Sequence, residues 1–194
     1  MDEYTWNTWN IKKIMAAINE TSDNGLICFN MRYNGQDELE RLNEHLFKKR
    51  PDLILRFSTE NSNDLTLLPP LKNIRKLSLF NYESLNQIKN MRHLLFLEIY
   101  NTNGKVLDIG FFEELNNLID LRLTAKVKNI EMLGKCESME SLYLSTTIEN
   151  YNFTQTLNKL KIIYIDHCTA SNDFTLLNKQ MLEKISVTQI NRLE

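Results

Sequence analysis

Glycine, alanine, proline and cysteine are scarce, with only 5 Gly, 4 Ala, 3 Pro and 3 Cys in 194 residues. Five scattered glycines form neither G-x-G-x-x-G nor G-x-x-x-x-G-K, so a backbone cradle for nucleotide phosphates has no place in this chain. Cys28, Cys136 and Cys168 are odd in number and widely spaced, which suits reduced thiols of a cell interior better than a disulfide framework. His45, His93 and His167 stand at no metal-ligand spacing, so neither a metal nor a cofactor is expected. No apolar run reaches the length of a membrane span, and Met1-Asp2-Glu3-Tyr4 opens no export signal, so the expected location is cytoplasmic. Neither charge sign dominates: 23 Lys and Arg face 25 Asp and Glu, a net charge of -2. The densest basic cluster, Lys48, Lys49 and Arg50, falls at the end of a predicted helix, where the helix dipole accounts for it. Duplex nucleic acid and anionic membranes are therefore not expected partners.

What the chain has in excess is leucine, asparagine and isoleucine, at 30, 24 and 17 residues. The apolar residues recur in one frame. Ile74-x-x-Leu77-x-Leu79, Leu94-x-x-Leu97-x-Ile99, Leu118-x-x-Leu121-x-Leu123, Met139-x-x-Leu142-x-Leu144, Leu160-x-x-Ile163-x-Ile165 and Leu182-x-x-Ile185-x-Val187 are six copies of one pattern. Leu26-x-x-Phe29-x-Met31 and Leu55-x-Phe57 are two earlier ones. Between copies, apolar residues fall at every third position, as in Leu65, Leu68, Leu71, Ile74 and in Leu85, Ile88, Met91, Leu94. The rows Ile109, Phe112, Leu115, Leu118 and Ile130, Leu133, Cys136, Met139 repeat it. Period two within a copy predicts a short strand, and period three between copies predicts a short helical or 3₁₀ return turn.

With these copies the sequence resembles leucine-rich repeat proteins, and their spacing is similar to the short repeats of bacterial members. The resemblance implies an α/β solenoid with a curved parallel sheet on its concave face and short turns on its convex face. It also implies a hydrogen-bonding ladder three positions after the second leucine, for which Asn34, Thr102, Thr147 and Cys168 are suitable. The expected organisation is an N-terminal capping helix over residues 1–24 and one solenoid domain of about seven or eight repeats over residues 25–194.

Trp6, Trp9, Ile11, Ile14, Met15 and Ile18 predict an amphipathic helix over about Thr5 to Glu20, with both tryptophans as core. Leu39, Leu42, Leu46 and Phe47 predict a second helix, opened by Asp37 with Glu40 three residues later. No capping segment follows the last copy, so the strand around Lys184 to Thr188 is expected as an open edge, through which two copies of the chain can pair.

No catalytic constellation emerges. Asp166-His167-Cys168 is contiguous, and neighbouring residues leaving a strand point different ways, so a buried structural thiol is expected at Cys168 and likewise at Cys136. The chain is read as a non-enzyme. Strand alternation instead sends Arg56, Phe80, Glu98, Tyr100, Arg122, Tyr143, Tyr164 and Asp166 to the concave face. Two readings of these residues stand side by side. Phe80 with Tyr100, Tyr143 with Tyr164, and Glu98 with Arg122 would touch across strands and stabilise the sheet alone. Alternatively they form a protein-binding face, since Tyr and Arg anchors are enriched in interface hot spots. The expected function is binding of a protein partner, in its narrowest form the neutralisation of a toxin by a bacterial immunity protein. The alternative is a scaffold assembling through its C-terminal edge.

Overall fold

The computed structural model describes residues 9–30, 35–58, 65, 71–82, 84–167, 169–170, 177, 182–188 and 191–192. In chain order these hold α1 (Ile11–Glu20), β1 (Leu26–Asn30), α2 (Gln36–Arg41) continuing into a π-helical stretch at Leu42–Phe47, β2 (Ile54–Ser58), β3 (Lys76–Phe80) and β4 (Phe96–Tyr100). They continue with β5 (Val106–Asp108), β6 (Asp120–Thr124), β7 (Lys126–Lys128), β8 (Ser141–Ser145) and β9 (Thr147–Ile148). The last are β10 (Ile162–Asp166), β11 (Thr169–Ala170), β12 (Lys184–Thr188) and β13 (Asn191–Arg192). Eight strands form one parallel sheet in the order β1-β2-β3-β4-β6-β8-β10-β12. The short strands β5 and β7, and β9, β11 and β13, build two further parallel sheets beside it.

The period-three rows have a direct hydrogen-bonding meaning. Ile88 N–H donates to Leu85 O at 2.9 Å, Met91 to Ile88 at 2.8 Å and Leu94 to Met91 at 3.0 Å, so each apolar residue closes an i→i−3 turn on the one before. The same chain of bonds runs through Phe112, Leu115 and Leu118. A fifth row, Tyr151, Thr154, Leu157 and Leu160, behaves identically although Thr154 is polar, because its hydroxyl donates to Tyr151 O at 2.8 Å and leaves no unmet group in the core. These turns occupy Asn86–Asn90, Gly110–Glu114, Ile130–Lys135 and Asn152–Thr156 as 3₁₀ helices.

Inside, the ladder Leu55, Leu77, Leu97, Leu121, Leu142 and Ile163 is completely buried. In the first repeats aromatic rings replace leucines: Phe29 stacks on Phe57 at 5.9 Å and Phe57 on Tyr82 at 6.4 Å. Here the expected register is corrected. Ile27 pairs with Leu55 and Phe29 with Phe57, so the first copy is Ile27-x-Phe29 rather than Phe29-x-Met31. A two-residue shift preserves which side chains point inward, and the sequence pattern alone does not exclude it.

The ladder is displaced as well. Thr102 and Thr147 are exposed, and the buried polar groups lie one residue earlier, at Asn101 and Thr146. Asn101 Nδ2 donates to Tyr82 O at 3.1 Å. Asn34 and Cys168 lie outside the described residues. Part of the asparagine excess serves the backbone, since Asn24, Asn81 and Asn129 adopt positive φ of 60°, 57° and 64°, a region asparagine tolerates well.

At the N-terminal end, α1 begins at Ile11 rather than near Thr5, because the Asn10 side chain accepts from Lys13 N–H at 2.9 Å and fixes the first turn. Residues 5–8, including Trp6, lie outside the described residues. Trp9 is buried as expected, with its backbone N–H on Glu38 Oε2 at 2.8 Å. Ile14 faces the core, whereas Ile11 and Met15 are exposed. The cap of α2 is Gly35, without a side-chain bond, so Asp37 sits in the first turn rather than at the N-cap. Arg50 serves a different helix from the one expected. Its Nη1 donates to Ile18 O at 2.9 Å and Thr21 O at 3.0 Å, satisfying the end of α1, while Asp52 holds its Nε and Nη2 at 2.9 and 2.8 Å.

Candidate functional site

Each five-residue strand sends its second and fourth residues inward and presents the other three on the concave face, giving three columns that run across the sheet. The central column reads Cys28, Arg56, Ser78, Glu98, Arg122, Tyr143, Tyr164 and Ser186, neighbours in register from strand to strand. A groove of about 560 Å³ opens over its middle, lined by Glu98, Ile99, Tyr100, Asp120, Arg122, Thr124, Ser141, Tyr143 and Tyr164. Five of the eight residues expected on this face line the groove. Arg56, Phe80 and Asp166 flank it.

Phe80 and Tyr100 are in contact, with ring centres 5.3 Å apart, and Tyr100 is 41% exposed. Arg56 lies over the Phe80 ring at 4.6 Å. The expected Glu98–Arg122 pair does not form. Glu98 instead accepts from Ser78 Oγ at 2.5 Å and lies 3.8 Å from Arg56, two strands away. Arg122 lies over Phe96, its guanidinium carbon 5.3 Å from the ring centre. Tyr143 and Tyr164 are register partners, and the Tyr143 hydroxyl donates to Asp166 Oδ2 at 2.9 Å. Lys184 lies over the Tyr164 ring at 5.0 Å.

The electrostatics differ from one carboxylate to the next. Asp166 accepts from Thr188 and Tyr143 and lies 2.8 Å from His167 Nδ1, and these hydrogen bonds, led by Thr188, hold its carboxyl below the usual range. Asp120 is pushed the other way, because burial outweighs the pull of Arg122 and the Ser141 hydrogen bond. Asp120, Thr124 and Ser141 also line the groove and are not among the eight residues singled out on this face. The signal for them is positional, since each flanks the central column on its own strand.

Both described cysteines are free thiols. Cys136 is buried with its Sγ donating to Phe112 O at 3.3 Å, and burial pushes its thiol up to about 12. Cys28 is a half-buried free thiol, raised by burial against the opposing effect of Arg56. Cys168 lies outside the described residues. No helix among the described residues is long and apolar enough to cross a membrane.

No protein-family model and no curated protein matches the chain. Solved structures do. The chain is similar to an internalin (InlF) from Listeria monocytogenes, with a TM-score of 0.57 and 16% identity over 76% of this chain and 45% of that one. It is also similar to a leucine-rich repeat protein from Leptospira interrogans, with a TM-score of 0.60 and 18% identity over 96% of this chain and 48% of that one. The chain spans about half the length of either protein. At such identities the likeness concerns the backbone. With the eight-stranded parallel sheet, the buried leucine ladder and the 3₁₀ return turns, it makes the fold a leucine-rich repeat solenoid.

Proposed function

We propose that this chain is a non-enzymatic protein-interaction module that binds a protein partner through the concave groove between β4 and β10, in the cytoplasm of a bacterium. The carrying observation is the groove itself. Tyr100, Arg122, Tyr143 and Tyr164 converge on it from four neighbouring strands, while the packing of the sheet is already provided by the buried ladder beneath. Aromatic and arginine side chains on a preorganised backbone lose little freedom on binding, which is why hot spots favour them. Cys136 is unavailable as a nucleophile, being buried and held as the thiol. Occlusion of a toxin is the narrower form of this reading and requires a stoichiometric complex.

The test is affinity capture from the native cell with the tagged full chain, followed by mass spectrometry. One stoichiometric partner, retained by wild type and lost by Tyr143→Ala/Tyr164→Ala, supports the reading. A partner retained equally by that double variant overturns it.

A second reading, assembly of the chain through β12, is favoured by one observation. Ile185 and Val187 occupy inward positions of the ladder yet are 44% and 38% exposed, whereas Ile163 and Ile165 on β10 are fully buried. Two-fold antiparallel pairing about Ser186 would set Ile185 against Val187 of a second copy. Light scattering that returns a dimer for wild type and a monomer for Val187→Lys supports this assembly. A wild-type monomer at high concentration removes it.

A further inference from the structure

On the concave face Arg56 pairs with Glu98, whereas two other cations, Arg122 and Lys184, have no such partner among the described residues. Glu98 is held by Ser78 and Arg56. Asp166 accepts from Tyr143 and Thr188 and lies against His167. Asp120 is half-buried, and burial raises its carboxyl against the pull of Arg122, with which it makes no ion pair within 4 Å. Among the described residues, Arg122 and Lys184 make no ion pair. Both are exposed, and each rests on an aromatic face, Phe96 and Tyr164 respectively. A ring face positions a cation without using its N–H donors, so these two groups are held in place with their hydrogen-bonding capacity unspent. Arginine so held matches a carboxylate with two parallel bonds.

We propose that the concave groove recognises an acidic segment of a protein partner, with one Asp or Glu carboxylate on Arg122, a second on Lys184, and an apolar or aromatic side chain between them on Tyr143 and Tyr164. This rests on the reading that the concave face is the interface and adds the chemistry of what it binds. Arg122 and Lys184 stand three strand steps apart, on β6 and β12. Lys184 is in register with Asp120, two residues before Arg122, so three steps of about 4.8 Å across the sheet and about 6.6 Å along it set the two carboxylates about 16 Å apart, which five residues of extended chain span. A nucleic acid fits poorly. Its continuous phosphates need clustered cations, and here Glu98, Asp120 and Asp166 flank the same surface.

The test selects binders from a random 12-residue peptide library with the full chain, then measures the enriched peptides by fluorescence anisotropy. The chains compared are wild type, Arg122→Glu, Arg122→Lys, Lys184→Glu and Tyr143→Ala, each checked for native circular dichroism. The proposal expects enrichment of Asp and Glu and weakening of about tenfold or more by Arg122→Glu. It expects a smaller loss for Arg122→Lys, which keeps the charge without the fork, and weaker binding as salt is raised. Neutral or basic peptides that bind wild type and are lost on Tyr143→Ala overturn the acidic partner but leave the concave interface standing. Peptides indifferent to both Arg122→Glu and Tyr143→Ala overturn the interface as well. Failure to enrich any peptide, or equal binding of a mixed-sequence oligonucleotide, overturns the acidic-segment proposal.

Discussion

Truncating the same ladder position in the middle and at the edge of the sheet separates burial from sequence pattern. Leu121 and Ile185 occupy equivalent positions, linked through register partners Leu142 and Ile163. Leu121 is fully buried between Leu97 and Leu142, whereas Ile185 is 44% exposed. Leu121→Ala loses the transfer free energy of about three carbon groups at roughly 0.8 kcal/mol each, and the cavity adds more, for a total of about 3–5 kcal/mol. That is a large share of the roughly 5–15 kcal/mol that holds a domain together. Ile185→Ala removes a similar side chain from a site that is already partly wet, so its cost is about 1–2 kcal/mol. Urea unfolding followed by circular dichroism measures both, with the slope showing whether the array still unfolds as one unit. Equal losses for the two variants would refute the argument that each repeat is stabilised by burial against its neighbours.

Gly134 faces Thr156 Oγ1 and Phe153 O, which an added Cβ would meet at 2.7 and 2.9 Å. Gly134→Ala should therefore force two convex turns apart and cost about 1–3 kcal/mol, read by the same unfolding assay. Asn101→Leu leaves the buried Tyr82 carbonyl without its 3.1 Å donor and should cost about 1–3 kcal/mol. Burial raises the Asp120 carboxyl, so its contribution is fully present below the unfolded carboxyl's range and is lost as pH rises through the folded value. Asp120→Asn should thus gain in Tm relative to wild type between pH 3.5 and 7; a difference that stays constant or falls over that interval counts against the burial account. Cys136 should resist iodoacetamide in the folded chain at pH 8 and react after unfolding, as peptide mapping would show.

Much of this fold is legible because a solenoid repeats its constraints. The period-two copies become strands and the period-three rows become i→i−3 turns, so each depends on its own repeat and on the repeats next to it. Legibility fails where side chains solve the same problem differently. Thr154 hides a fifth row because its hydroxyl is satisfied locally, and Asn101 takes over the ladder one residue early. Register at β1 is ambiguous in the sequence because Ile27, Phe29 and the residues around them fit two alignments of the same parity. In the groove, strand alternation assigns the face of each residue correctly. It does not show that Glu98 reaches past Ser78 toward Arg56, leaving Arg122 to Phe96. That choice depends on side-chain length and on burial across three strands.

The central claim, that the concave groove is the binding face, is tested most directly by the dissociation constant of the captured complex for wild type, Tyr143→Ala and Lys135→Ala. Lys135 is exposed on a convex turn and serves as the control. The account predicts that Tyr143→Ala weakens binding by about 2 kcal/mol, roughly thirtyfold, with Lys135→Ala unchanged. Weakening by Lys135→Ala with Tyr143→Ala unchanged would contradict it and move the interface to the convex side.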